Sequence, residues 1–171
     1  MLRPLRWLLP ALLGGSALAL PLRADPSFGK HTVNGYQELL SADRQDALSW
    51  PQPKVAVDPA RAREGCAVVL RVFFSAEGRV ERVTVEAFAG SRFIAELAAK
   101  SAREQLRLPP QLANGQPAKF YWDLPLYFQL EANPELQRGL EKHLARRGDR
   151  RQNAVDAIRA LAAESAAPAR K

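Results

Sequence analysis

The sequence predicts an α+β fold: a small three-stranded antiparallel sheet with one packed helix, in the order β-β-α-β, and a C-terminal helical hairpin. Three observations carry this expectation. Phe120, Trp122, Leu124, Leu126, Phe128 and Leu130 occupy every second position, with Tyr121, Asp123, Tyr127, Gln129 and Glu131 between them. That is the period of a strand with one buried face. Two further alternating segments, 66–75 and 80–88, flank a short turn at Ala76-Glu77-Gly78-Arg79. Between Gly90-Ser91 and Pro109-Pro110, Phe93, Ile94, Leu97, Ala98, Ala102 and Leu106 recur at helical spacing.

The chain opens with Arg3 and Arg6, an uncharged, mostly apolar run from Trp7 to Leu22, and a short polar step. This is the layout of a secretory signal peptide, expected to cover 1–24 with cleavage after Ala24, or after Ala19 as second choice. The run is shorter than the roughly 20 residues that span a bilayer. Residues 25–57 read as a mixed segment. It has a short helix over Tyr36–Leu48 and a proline-stiffened connector at Trp50-Pro51-Gln52-Pro53-Lys54.

The domain proper is expected over 58–132. In its first strand Val68, Leu70, Val72 and Phe74 share a face. In the second, Val83, Val85 and Ala87 do so, with Val80 out of phase and a bulge beside the turn to explain it. Gly78 supplies a positive φ for the turn. Pro109-Pro110 stops the helix. In the third strand Pro125 lacks a ladder donor, which marks this segment as a sheet edge. An edge accepts another chain, so Tyr121, Asp123, Pro125, Tyr127 and Gln129 are the candidate partner-binding residues.

Residues 133–171 read as a basic helical tail. Asn133-Pro134 starts a helix with Leu136, Leu140 and Leu144 at i, i+4. Gly148 closes it, and Asp149 opens a second helix with Val155, Ile158, Leu161 and Ala162 on one face. The chain carries 25 Lys+Arg and 18 Asp+Glu, a net charge of +7. Residues 1–24 hold three arginines and no acid, and the tail holds nine basic and five acidic residues. The body between is neutral, so attraction to an anionic surface belongs to the tail, at Arg146, Arg147, Arg150 and Arg151. Two roles are open to the tail: packing its apolar stripe back on the domain, or docking an acidic protein or anionic lipid head groups. Nucleic acid is not an expected partner, since no aromatic interleaving accompanies the charge.

In order and spacing, one set of residues resembles the C-terminal domain of the TonB/TolA family of cell-envelope proteins. It comprises Asp58-Pro59-Ala60-Arg61-Ala62, Gly65, the aliphatic strand, Glu77-Gly78-Arg79-Val80, Gly90-Ser91, the Ala-rich helix, Leu108-Pro109-Pro110, Asn114-Gly115 and Leu124-Pro125-Leu126-Tyr127-Phe128. The resemblance covers 58–131. It departs at Asp58-Pro59, where TonB sequences have Tyr-Pro, and at Leu106-Arg107-Leu108, where they are aromatic-rich; the double proline is closer to TolA. The resemblance implies a periplasmic adaptor that takes up an extended segment of an envelope protein by strand addition at a sheet edge. Its alternative is an energy transducer that couples an inner-membrane motor to outer-membrane transport and keeps its N-terminal anchor. A second copy of the chain is a further candidate partner.

No catalytic, metal-binding or cofactor residues are expected. His31 and His143 lie in the flanks without Cys, Asp or Glu at ligand spacing. The lone Cys66 sits inside a strand pattern with no nucleophile elbow around it, and reads as a buried core residue.

Overall fold

The computed structural model describes residues 27–41, 64–145 and 151–166. Its centre is the aliphatic run Cys66–Phe74, in which every side chain but the half-buried Arg71 is buried. A strand this uniformly apolar is stable only when neighbours flank it and both faces are covered. Here both conditions hold.

We number the strands β1 (Ser27–Val33), β2 (Tyr36–Ser41), β3 (Cys66–Phe74), β4 (Val80–Gly90), β5 (Leu112–Ala113), β6 (Gln116–Pro117) and β7 (Phe120–Phe128). The helices are α1 (Arg92–Gln105), α2 (Pro134–Ala145) and α3 (Arg151–Ala166). Five strands form one sheet in the order β1-β2-β7-β3-β4, and β5-β6 make a separate small hairpin. The β2–β7 pair is parallel, through Gln37↔Phe120 and Glu38↔Tyr121; the other pairs are antiparallel. The expectation of a small three-stranded antiparallel sheet is therefore corrected to a five-stranded mixed one. The enlargement comes from the β1–β2 hairpin, in a region read as helix and connector. Its turn is Asn34-Gly35, with φ of 51° and 83°, the dipeptide best suited to a tight hairpin. The helix expected over Tyr36–Leu48 is a strand as far as Ser41, and the remainder lies outside the described residues.

The expectation that Phe120–Leu130 forms the sheet edge is corrected at its start: Phe120 and Tyr121 lie between β2 and β3, whereas beyond Tyr121 β7 pairs with β3 alone among the described residues. Alternation reports which face of a strand is buried and is silent on its neighbours. Pro125 is tolerated here for a geometric reason. The Gln37 N–H donates to Lys119 O at 3.1 Å, so the amides of odd-numbered β7 residues point toward β2. Pairing with β2 ends at Tyr121. The missing N–H of Pro125 thus falls past the end of that ladder and costs no sheet bond.

One face of the sheet packs on α1. Ile94, Ala95, Ala98 and Ala102 meet Val68, Leu70, Val72, Phe74, Phe120 and Trp122, with Leu39 of β2 alongside. Two bulges bring β4 into register with this face. Phe73 pairs with Arg82 and Phe74 with Val80, leaving Glu81 extra; Val69 pairs with Ala87 and Leu70 with Val85, leaving Glu86 extra. Val80, Val85 and Phe88 accordingly pack on the α1 side, whereas Ala87 and Ala89 belong to the opposite core. The expected grouping of Ala87 with Val83 and Val85 fails at the second bulge, which shifts the phase by one residue.

The opposite face is covered by α2 and α3. Leu136, Leu140, Val155, Ile158 and Leu161 close on Ala67, Val69 and Ala89. Asn133 caps α2 by accepting from the Leu136 N–H at 3.1 Å, and its side-chain amide donates to Glu64 O at 3.0 Å. The molecule is three layers: α1, sheet, and the α2–α3 pair.

Candidate functional site

Of the residues expected to bind a partner, Tyr121 is paired with β2, Asp123, Pro125 and Tyr127 follow where that pairing has ended, and Gln129 lies past the strand. Tyr121 is 3 % exposed, lies 5.9 Å from the Phe73 ring, and is overlaid by the Arg71 guanidinium at 4.9 Å. Asp123 is buried. It accepts from Arg71 Nε and Nη2 at 2.8 and 2.9 Å, and from Arg159 Nη2 of α3 at 2.7 Å. Pro125 is half-buried opposite Val69. Gln129 falls beyond the strand in a left-handed turn, φ 47°. Of the five, Tyr127 alone is exposed, at 41 %. Arg146, Arg147 and Arg150 lie outside the described residues, as does the side chain of Arg151.

The outer strands of the sheet are β1 and β4, and β4 is the longer. Eleven residues long, it pairs with β3 on one side and with no strand on the other among the described residues. Which of its amides are free follows from β3. The Ser75 N–H donates to Arg79 O at 2.9 Å, so odd-numbered β3 residues turn their amides toward β4. Arg71 faces Thr84, and Val69 faces Ala87. The amides of Val83, Val85 and Phe88 therefore point away from the sheet.

Beside this edge runs a groove of about 630 Å³ between β4 and α3, lined by Val85 to Gly90 on one side and by Arg159, Ala162, Ser165 and Ala166 on the other. Its walls are made mostly of residues with little or no side chain, because α3 meets the strand over Ala87, Ala89 and Ala162. A volume of this order is typical of ligand-accepting clefts, roughly 300–1,000 Å³. Its charges are answered within the chain. Glu86 takes Arg71 Nη1 at 3.3 Å and the Thr84 hydroxyl at 2.9 Å, and Arg159 is held by Asp123. What the groove offers is exposed backbone on one wall and small apolar side chains on the other.

Farther along the same sheet face is an aromatic and basic cluster. Tyr36 packs edge-on against Phe73 at 5.1 Å, Arg82 lies 3.9 Å over the Phe73 ring and Lys119 5.5 Å from that of Tyr36. The Tyr36 hydroxyl donates to Glu81, and this bond holds its pKa above the usual tyrosine value. These side chains cover the part of the face that α2 and α3 do not reach.

The described residues offer no group of three or more His, Cys, Asp or Glu able to hold a metal ion. Burial pushes the Cys66 thiol up to about 12, which keeps it protonated and unreactive at neutral pH. His143 is buried on α2 and lies 3.2 Å from Glu164 of α3. No helix among the described residues is long and apolar enough to cross a membrane. No family model, curated protein or solved structure matches this chain.

The sequence contained the signal for this edge without making it readable. Glu81, Arg82 and Glu86 place three charges on one strand, a common protection for an exposed edge, and the two bulges add to it. Those charges read equally well as an ordinary solvated strand face.

Proposed function

We propose that this chain is an exported protein-interaction domain that binds an extended segment of a cell-envelope protein by strand addition at β4. The observation that carries the reading is an eleven-residue strand that, past the Arg79–Arg107 bridge, has no strand on its outer side among the described residues and borders a groove against α3. Strand addition draws its affinity from main-chain hydrogen bonds and its selectivity from pockets for alternate side chains. The outward amides of Val83, Val85 and Phe88 supply the first, and the α3 wall the second. The basic, then apolar start of the chain supports export to the periplasm. The resemblance of 58–131 to TonB/TolA C-terminal domains supports an envelope protein as the source of the captured segment. The basic residues Arg146, Arg147, Arg150 and Arg151 add a salt-sensitive attraction to acidic proteins or anionic head groups.

The test is an NMR titration of the isotope-labelled exported chain with a panel of extended peptides taken from envelope proteins. Binding by this route protects the amides of Val83, Val85 and Phe88 from exchange and shifts Ala162 and Ala166. Shifts confined to the exposed face of α1, with the β4 amides still exchanging freely, would falsify it. N-terminal sequencing of the exported form should begin at Asp25.

A further inference from the structure

The free side of β4 carries a self-complementary code. Read from either end in antiparallel pairing, Arg82-Val83-Thr84-Val85-Glu86 matches itself: arginine meets glutamate, valine meets valine, and threonine meets threonine. We propose that in the absence of a captured segment the chain dimerises by pairing β4 with β4 of a second copy, about a two-fold axis at Thr84. The inference rests on the reading of β4 as a strand-accepting edge, and it assigns that edge its resting occupant.

Two observations support this register. The outward amides of Val83 and Val85 flank Thr84, whose own amide is used by β3. Antiparallel pairing about Thr84 therefore sets Val83 against Val85 of the other copy as a hydrogen-bonded pair, twice over. The side chains agree with the backbone. Arg82, Thr84 and Glu86 share the α3-side face: Arg82 lies over Phe73, and Thr84 and Glu86 bond each other beside Arg71. The pairing places each exposed Arg82 opposite an exposed Glu86, and opposite charges directly across a ladder stabilise it. The match is confined to this pentapeptide, because beside Val80 the outer side of β4 is taken by the chain's own Arg107 segment, which bridges Arg79.

A two-fold interface is isologous, so a single substitution acts at both ends of it. Edge pairing alone covers less than the roughly 1,200 Å² of a standard stable interface. The dimer is thus expected to be weak and to dissociate on dilution, and a captured segment competes with it for the same amides. This makes self-pairing a brake on strand capture.

The test uses sedimentation velocity of the full exported chain over a dilution series, with far-UV circular dichroism to verify folding. Arg82→Glu alone sets glutamate against glutamate, and Glu86→Arg alone sets arginine against arginine. Each should weaken the dimer on the order of tenfold or more. Mixing the two variants restores both pairs, so the mixture should form a heterodimer that neither variant forms alone, and the double exchange R82E/E86R should dimerise again. Thr84→Asp is an independent probe if Glu86→Arg fails to fold. It puts two carboxylates on the axis while leaving each beside its own Arg71, and should yield monomer. A chain that is monomeric at every concentration overturns the proposal, as does a dimer indifferent to these exchanges. Peptide capture is read separately from the β4 amides. Capture by a monomer removes the dimer proposal and keeps the edge reading, whereas absence of both removes the edge reading itself.

Discussion

Asp123 ties three elements together through one carboxylate, with Arg71 on β3 and Arg159 on α3 as its donors. Breaking a buried ion cluster by removing one member strands the others in a poorly solvated site. Asp123→Asn should lower stability by about 2–4 kcal/mol in urea denaturation. The figure sits in the lower part of the range for buried pairs because the Arg159 side chain keeps 36 % exposure. Its neighbours invert the ranking that alternation suggests. Tyr121 is as buried as Trp122, one residue on the α2–α3 side and the other on the α1 side. Tyr121→Ala and Trp122→Ala should each cost about 3–5 kcal/mol, and Tyr127→Ala far less.

Cys66 gives a pH signature at the same scale. Its folded-state pKa is raised to about 12 from a reference of 9.0 by burial. The native state therefore holds the proton more tightly than the unfolded chain. That contribution is complete below pH 9 and is lost as pH rises toward 12. Tyr121 and Tyr127 are shifted the same way by desolvation. Stability measured by denaturant at increasing pH should fall across this window, with the Cys66→Ala variant falling less steeply. At pH 7 the native thiol should resist a disulfide reagent that reacts once the chain is unfolded.

At the scale of elements, turns and bulges decide which faces meet. The β3–β4 turn requires Gly78, at φ 78°, and any Cβ there would lie 1.8 Å from Leu108 O. The Leu108 N–H donates to Gly78 O at 3.1 Å, so strand and post-helix segment are pressed together at this point. Gly115, in the β5–β6 turn, has the same φ of 78° with open space around it. The two form a matched pair. Gly115→Ala should cost about 1–2 kcal/mol, the strain of a left-handed residue alone. Gly78→Ala adds a backbone clash and should cost well above that, as thermal denaturation of the two variants will show.

At the scale of the whole molecule, the second core decides what counts as the domain. Ala67, Val69 and Ala89 are covered by α2 and α3, with Leu130 packed against the same cluster. Residues 58–131 alone would leave this apolar face open to water. A chain ending at Ala132 should therefore bind a hydrophobic dye, lose cooperative unfolding and aggregate, whereas the full chain should do none of these. Loss of the tail is then a loss of core, distinct from any loss of basic charge.

The sequence determined by itself the core-facing residues of β3 and most of those of β7 and α1, because periods of 2 and 3.6 are local; on α1 it also pointed to Phe93, which is exposed. The Asn34-Gly35 turn was equally local, though it was masked by a helix-compatible run after it. Only the tertiary structure decided the rest. Strand order depends on hydrogen bonds between residues far apart in the chain, and no spacing along one strand encodes its neighbours. That is why Phe120–Phe128 reads as an edge along its whole length although its first two residues stand between β2 and β3, and why β4 is an outer strand of the sheet. A bulge at Glu86 reverses the facing of every residue beyond it, yet it adds no distinctive amino acid. The groove exists only because α3 returns across the sheet and comes to rest beside β4, held by Val155, Ile158 and Leu161 and by the bond from Arg159 to Asp123.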